Sequence, residues 1–197
     1  PHPVWTPAIL DILDTYGVKA TFFVAGFRVE RHPEIVAEIA ARGHSVQNHT
    51  YGHENLVEHG NRTIGWTLDE GNRVVREATG TTPTCMRPPF GSTSSRVDEV
   101  IGTRNLEIVM WDIDSRDYAH NSSSAAVAHA LRAEGGDIIL MHDIHGYLWI
   151  EALPQVIEGL QARGIGFNTL CERPAPTGME VRWPALRWAR PSVAIPR

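Results

Sequence analysis

The chain has 197 residues, of which 42% are hydrophobic, 21% charged and 8% aromatic, a composition typical of a single folded globular domain. Its formal net charge of −5 offers a nucleic-acid backbone no general basic surface. No uninterrupted apolar run approaches the roughly 20 residues that a bilayer span requires. We therefore expect neither a nucleic-acid partner nor a membrane span.

Hydrophobic periodicity divides the chain up to Leu170 into alternating helices and strands. The predicted helices have apolar residues three or four apart and cover Thr6–Tyr16, Pro33–Ala41, Arg62–Ala78, Ser95–Thr103, Ser123–Ala133 and Trp149–Arg163. The predicted strands are short apolar or β-branched runs at Ala20–Val24, His44–Asn48, Cys85–Arg87, Leu106–Trp111, Asp137–Met141 and Gly166–Leu170. This alternation predicts an α/β fold with a parallel sheet and outer helices, either closed as a barrel or left open.

The series begins with a helix that no strand precedes, although such a helix normally returns from a strand of the same sheet. We expect that a first strand is missing from this sequence. Its absence would expose the edges of the strands Ala20–Val24 and Gly166–Leu170, which favours self-association or pairing with the segment Val181–Trp188.

The pattern of helices and strands stops after residue 171. Residues 172–197 are rich in proline and carry five arginines and two glutamates. This tail could be a linker, a wall-binding stretch or a strap across the domain, and Trp183 and Trp188 favour packing against it. The predicted organisation is a domain over residues 1–171 and a Pro/Arg/Trp-rich tail over residues 172–197.

The two cysteines are too few to identify the redox compartment. Cys85 begins one predicted strand and Cys171 follows the end of another. In a parallel barrel these positions lie at opposite ends, so we expect no disulfide between them.

Four segments that follow predicted strands carry groups suited to catalysis, and reactive groups of α/β sheets gather at the carboxyl ends of strands. Residues 49–53 read His-Thr-Tyr-Gly-His. If this stretch turns helical, His49 and His53 face the same way and can bind one divalent ion. The alternative is a pair of surface or capping histidines.

The second segment, residues 87–91, reads Arg-Pro-Pro-Phe-Gly. Two prolines and a glycine restrict the backbone and orient the remaining amides, as an oxyanion site requires. The alternative is a rigid turn with a solvated arginine.

The other two segments combine acids with a histidine. Residues 111–118 carry three aspartates and an arginine after an apolar strand, and could orient a histidine or form a solvated loop. His142 follows the apolar run at Ile138–Leu140, where it could act as a general acid or base or be a structural histidine.

Taken together, these motifs resemble the polysaccharide deacetylase family, the NodB-homology carbohydrate esterases of family 4. The resemblance runs from Pro1 to about Leu170 and covers four of the five motifs of the family, in order. It implies a distorted (β/α) barrel and a catalytic domain over residues 1–171.

The resemblance also implies residue roles. By matching motif positions, His49 and His53 would bind the metal, and Arg87 would support the catalytic base. Asp117 would orient His142, the general acid. The remaining matched residues would form the oxyanion and substrate pocket, namely Phe90, Leu140, Tyr118 and Trp111. Tyr118 stands where the family usually has tryptophan, and Phe90 where tyrosine is common.

The first motif of the family, Thr-Phe-Asp-Asp-Gly, supplies the catalytic base and the third metal ligand, and this sequence begins where that motif should have ended. The implied activity is metal-dependent hydrolysis of N-acetyl or O-acetyl groups on peptidoglycan, chitin or xylan, outside the cell or at the cell wall. Zinc is the expected ion, with cobalt and nickel as alternatives. The rival interpretations are a catalytically impaired domain that still binds carbohydrate or metal, and a metal-free structural or interaction domain.

Overall fold

A computed structural model describes residues 1–119 and 121–171. Seven α-helices lie in this part of the chain: α1 Trp5–Thr15, α2 Gly26–Arg31, α3 Pro33–Ala41, α4 Asn61–Thr79, α5 Ser95–Gly102, α6 Ser123–Ala130 and α7 Gly146–Gln161. Six short strands alternate with them: β1 Thr21–Val24, β2 Ser45–Asn48, β3 Cys85–Met86, β4 Glu107–Ile108, β5 Ile113–Asp114 and β6 Ile139–Leu140. The predicted tail lies outside the described residues.

All strand pairs of the described residues are parallel and form two sheets. One sheet has the order β1-β2-β3-β4, and β5 pairs with β6 in the other. Within the described ranges, β1 pairs with β2 and has no strand partner on its other side. Parallel strands with outer helices confirm the predicted α/β class.

Local sequence signals set the ends of the helices. The hydroxyl groups of Ser94 and Ser122 accept backbone N–H groups in the first turns of α5 and α6. Helix α4 ends at Gly80, whose φ of +75° places it in the left-handed region that glycine adopts without strain. These caps explain why the predicted helix ends lie close to the observed ones.

Three apolar clusters fill the space between sheets and helices. One joins α1, α6 and α7 to the second sheet around Trp149. Another packs α2, α3 and α4 against β1 and β2, and the third packs α4 and α5 against β3 and β4. No helix within the described ranges combines the length and the apolar character needed to cross a bilayer.

The predicted strand Gly166–Leu170 is wrong. This segment is irregular and passes the amino ends of the strands: the Leu170 N–H donates to Thr21 Oγ1 over 2.7 Å, and Ser45 Oγ donates to the Leu170 carbonyl over 3.0 Å. Thr84 Oγ1, just before β3, donates to the Cys171 carbonyl over 2.8 Å. The segment therefore ends beside the start of β3.

The expectation of two free cysteines is also wrong. Cys85 and Cys171 form a disulfide, with their Cα atoms 5.8 Å apart. The error came from treating Gly166–Leu170 as a strand parallel to β3, which placed Cys171 at the opposite end of the sheet. Because the segment crosses the amino ends instead, it brings Cys171 to the first residue of β3.

Two further elements differ from the prediction. Helix α2 was not predicted because its six residues are too few to show a periodic pattern. Strand β5 was not predicted either, because it lies inside the acidic segment that follows β4. Its extended conformation is stabilised by pairing with β6, which the local sequence does not show.

Candidate active site

The predicted site residues lie at the carboxyl ends of the strands. His49 follows the last residue of β2, Arg87 the last residue of β3, and His142 lies two residues after Leu140, the last residue of β6. Neighbouring strands β2 and β3 end at the same edge of one sheet, which places His49 and Arg87 together. Strand β6 belongs to the other sheet, and the charge of His142 acts on both His49 and His53, so His142 lies close to them.

A backbone hydrogen bond orients the His49 ring. Its Nδ1 atom lies 2.6 Å from the carbonyl oxygen of Arg87. Because a carbonyl can only accept, Nδ1 carries the proton and Nε2 presents its lone pair. This arrangement is typical of metal-binding histidines, whose second nitrogen donates to a carbonyl or carboxylate.

The His53 ring lies beside His49, with the ring centroids 4.9 Å apart. The spacing predicted that a helical turn would bring the two residues together, but the segment is not helical. Thr50 and His53 both have φ values of +62°, and these left-handed residues fold the segment back on itself. The two imidazoles are therefore adjacent as predicted, but a left-handed turn and not a helix places them together.

Buried Asn48 holds this turn in place. Its Oδ1 accepts the Thr50 N–H over 2.7 Å, while its Nδ2 donates to the Leu68 carbonyl and to Asn72 Oδ1 on α4. A Cβ at Gly71 would lie 2.9 Å from Asn48 Oδ1, so a small residue is required there. Helix α4 thus fixes the loop that carries the histidines.

Both imidazoles are held in the neutral form. Burial lowers the pKa of His49 to about 3, and burial also lowers the pKa of His53, with the His142 charge contributing to both shifts. Neutral imidazole is the form that binds metals. Among residues 1–119 and 121–171, no group of three His, Cys, Asp or Glu side chains is arranged to hold a metal ion.

Arg87 is 8% exposed, so it is not the solvated arginine of the alternative interpretation. Its Nε and Nη2 donate to the carbonyls of Val109 and Met110, each over 3.0 Å. The guanidinium also lies 4.3 Å from the centroid of the Phe23 ring and 5.7 Å from that of Trp111. Burial lowers its pKa to about 10, which leaves it charged at neutral pH.

Aromatic rings border the histidine pair. Phe90 has a φ of +62°, and its side chain is 64% exposed. Its ring centroid lies 4.8 Å from that of His53. The next residue, Gly91, packs so tightly on Trp111 that a Cβ there would lie 2.7 Å from the indole ring.

Asp117 and His142 form the second pair of predicted site residues. Asp117 is 1% exposed, and its Oδ1 lies 2.7 Å from His142 Nδ1. Its Oδ2 accepts the His142 backbone N–H over 2.7 Å and the Trp149 indole N–H over 2.8 Å. These bonds orient the imidazole and leave its Nε2 free of the carboxylate.

The charge of Asp117 depends on the same bonds. Burial raises the pKa of its carboxyl, but the hydrogen bonds from His142 and Trp149 outweigh burial and hold that pKa below the ordinary value. Asp117 is therefore ionised at neutral pH and can stabilise a protonated His142.

Trp149 is a member of this network that the sequence analysis missed. It was assigned only to the predicted helix Trp149–Arg163, and no motif marked its indole as a donor to Asp117. A tryptophan in the first turn of a helix after His142 was the available signal, but only the fold shows where its N–H points.

The remaining predicted residues lie near His142. The Tyr118 ring is perpendicular to the His142 ring at 5.6 Å, and its hydroxyl donates to Asp114 Oδ2 over 2.8 Å. Leu140 is buried in β6, where it pairs with Asp114. The geometry thus groups His49, His53, Arg87 and Phe90 on one side, and places Tyr118 beside the Asp117–His142 pair.

Comparisons with known proteins match this chain to one family. A sequence profile described as polysaccharide deacetylase matches residues 1–109. The peptidoglycan-N-acetylglucosamine deacetylase PgdA of Listeria monocytogenes is 34% identical over 168 residues, which are 85% of this chain and 35% of that protein. The chain therefore spans about a third of the length of this relative.

Two solved structures have the same fold. The family 4 carbohydrate esterase of Streptomyces lividans, solved in complex with acetate, has a TM-score of 0.79 at 28% identity and covers 85% of this chain and 86% of that one. A CE4-family pseudoenzyme of Bacillus anthracis has a TM-score of 0.80 at 28% identity and covers 84% of this chain and 59% of that one. The predicted distorted barrel is confirmed by these similarities.

Proposed function

Because this chain belongs to the polysaccharide deacetylase family, we propose that it takes part in the metal-dependent hydrolysis of N-acetyl or O-acetyl groups on a polysaccharide. One observation carries the proposal: an aspartate-oriented histidine, His142, lies close enough to a neutral histidine pair for its charge to lower the pKa of both rings. The pair suits metal binding and His142 suits proton transfer to a leaving group.

His49 and His53 would hold the divalent cation, with zinc as the expected ion and cobalt or nickel as alternatives. The carbonyl of Arg87 keeps the lone pair of His49 Nε2 available, and burial keeps both rings neutral. When bound, such an ion lowers the pKa of a coordinated water and polarises a carbonyl group. By resemblance, a third ligand and the catalytic base would come from a Thr-Phe-Asp-Asp-Gly motif, which this sequence does not contain.

His142 would be the general acid. With Nδ1 bonded to ionised Asp117, the protonated ring can give its Nε2 proton to the departing amine or alcohol. The Asp117 charge stabilises the imidazolium before that transfer. The Phe90 backbone N–H would donate to the oxyanion that forms on the acetyl carbon, and charged Arg87 would orient the base.

The substrate pocket would be formed by side chains around these groups. Leu140, Trp111, Tyr118 and Phe90 supply apolar surface for an acetyl group and a sugar ring. Peptidoglycan, chitin and xylan all present such groups. The Cys85–Cys171 disulfide supports the proposed location outside the cell or at the cell wall, since disulfides persist in oxidising environments.

Metal analysis tests the role of the histidine pair. After incubation with zinc, cobalt or nickel and removal of free ion, the wild-type chain should retain about one ion, and His49→Ala and His53→Ala should retain far less. His32→Ala is the matched control, because His32 caps the carboxyl end of α2 and its Nδ1 lies 3.5 Å from Glu34 Oε1. Equal metal content in all four proteins would refute the assignment.

Acetate release tests the reaction itself. The metal-loaded chain is assayed with acetylated chitooligosaccharides, peptidoglycan and acetylxylan, beside His142→Ala and Asp117→Asn. Turnover that both variants lose while they retain metal would support the proposed roles. Turnover that both variants retain in full would refute them.

A second candidate function is a catalytically impaired domain that still binds metal or carbohydrate. It is favoured by a pseudoenzyme among the similar structures. Glycan or metal binding without acetate release from any of these substrates would support this candidate over the first.

A further inference from the structure

The turn between His49 and His53 has hydrogen-bond partners on side chains. The backbone N–H groups of residues 50–52 each donate to a side-chain oxygen, and the acceptors are, in that order, Asn48 Oδ1, Thr67 Oγ1 and Glu54 Oε2, at 2.7, 2.8 and 3.1 Å. Backbone groups that lie outside helices and sheets need partners of this kind. The shape of the turn is therefore set by three side chains that flank it in sequence or in space.

Two of these side chains, Glu54 and Thr67, form one unit. The Thr67 hydroxyl donates to Glu54 Oε2 over 2.7 Å while it accepts the Tyr51 N–H. The same Glu54 oxygen also accepts the Gly52 N–H. Thr67 is fully buried on α4, a helix of 19 residues, so packing of the helix fixes its position. Glu54 thus joins the turn to α4.

The bond between Glu54 and Gly52 spans His53. A Cβ at Gly52 would lie 2.7 Å from Glu54 Oε1, so the carboxylate occupies the space that a side chain would need. His53, between the two, has a φ of +62°. A residue with a side chain keeps this left-handed conformation only where the surrounding structure holds it. The Glu54 carboxylate supplies such a restraint on the backbone that carries the His53 ring.

We propose that Glu54 is a positioning residue of the histidine pair: its hydrogen-bonded carboxylate holds the His53 backbone in the conformation that places the His53 ring beside His49. This inference rests on the proposed function, because that function gives the pair a metal ion to bind. Loss of a residue that orients metal ligands typically lowers metal affinity about 10–100-fold. Glu54 acts through the backbone and not as a ligand, since its Oε2 already accepts two hydrogen bonds.

Zinc affinity, measured by competition with a chelator, tests the proposal. Glu54→Ala removes both hydrogen bonds and should weaken zinc binding by about tenfold or more. Glu54→Gln retains an oxygen that accepts both bonds and should stay within about threefold of wild type. Thr67→Val removes the hydroxyl and should also weaken binding. The double variant of Glu54→Ala and Thr67→Val should lose little more than either single variant, because the two residues belong to one network.

Glu58→Ala is the matched control. It removes the same charge from the same connection between β2 and α4, but the Glu58 carboxylate accepts from Asn55 Nδ2 over 2.6 Å, beyond the turn. Zinc affinity of this variant should stay within about twofold of wild type, because an exposed charge is screened by salt. Equal losses in Glu54→Ala and Glu58→Ala, or in Glu54→Ala and Glu54→Gln, would assign the effect to charge and overturn the proposal.

NMR spectra of the metal-free protein separate this proposal from the proposed function. The centroid of the His53 ring lies 4.9 Å from that of His49 and 4.8 Å from that of Phe90, so the chemical shifts of its ring protons depend on both neighbours. These shifts should change in Glu54→Ala and persist in Glu54→Gln and Glu58→Ala, with thermal melting as the check that each variant is folded. Unchanged shifts in Glu54→Ala would overturn the proposal. If the shifts change as expected but the wild type binds no zinc, the proposed function fails and the positioning role stands.

Discussion

Removal of the Cys85–Cys171 disulfide should destabilise the domain strongly. The bond joins the first residue of β3 to the end of the segment that crosses the amino ends of the strands, and it closes a loop across 86 positions of sequence. In the variants Cys85→Ala, Cys171→Ala and the double variant, that loop opens in the unfolded chain. The folded chain keeps the neighbouring bond from Thr84 Oγ1 to the Cys171 carbonyl.

The expected magnitude follows from the length of the loop. Closing a loop of 86 residues lowers the entropy of the unfolded chain by an amount worth about 4.5 kcal/mol at 25 °C. For a domain of this size, each kcal/mol changes the melting temperature by about 2–4 °C. The loss should therefore be roughly 9–18 °C in melting temperature.

The assay is thermal melting of the wild type and the three variants, with and without reductant. Either single variant already breaks the bond, so the double variant should melt close to both single ones, and reductant should lower the melting temperature of the wild type alone. A thiol count on the unfolded, unreduced wild type should find no free thiol. Two free thiols, or wild-type melting that reductant does not change, would refute the reasoning.

Three further predictions concern single residues. Trp149→Phe removes one donor from buried Asp117 and should lower the free energy of unfolding in urea by about 1–3 kcal/mol; no change would show that the indole bond is not needed. Gly91→Ala places a Cβ against Trp111 at a φ of +64° and should cost about 1–3 kcal/mol and change the tryptophan fluorescence; an unaltered protein would contradict the packing. Burial lowers the pKa of His44, so stability should fall as pH drops below about 6.5, where the unfolded chain takes up a proton that the folded chain resists. Urea unfolding from pH 8 to pH 5 should show a weaker dependence in His44→Asn, and equal dependence in both proteins would exclude His44 as its source.

Most helices and strands could be predicted from the sequence because the residues that determine them lie within or next to each segment. The apolar spacing within α4 and the glycine that ends it are both contained in the segment Asn61–Thr79 and its neighbour Gly80. The same holds for β1, a short aromatic and β-branched run. Alternation of such elements is sufficient to predict a parallel α/β fold.

The candidate site was predicted in part for the same reason. His49, Arg87 and His142 each follow a strand closely. The ends of neighbouring strands β2 and β3 bring His49 and Arg87 to one edge of their sheet, whereas His142 follows a strand of the second sheet. Their proposed roles came from resemblance to a family and are still predictions. The backbone path from His49 to His53 was expected to be helical, because spacing alone does not reveal a left-handed turn.

Tertiary structure decided the contacts between residues far apart in the chain. The Trp149 indole reaches Asp117 across 32 positions, and Cys171 reaches Cys85 across 86. Neither contact has a local signal, since each depends on where the rest of the chain places the two residues. Sequence periodicity shows that a segment is a helix, a strand or neither. It does not show the direction in which the irregular residues 166–171 leave α7. Hydrogen bonds with Thr21, Ser45 and Thr84 set that direction, and these bonds exist only in the folded domain.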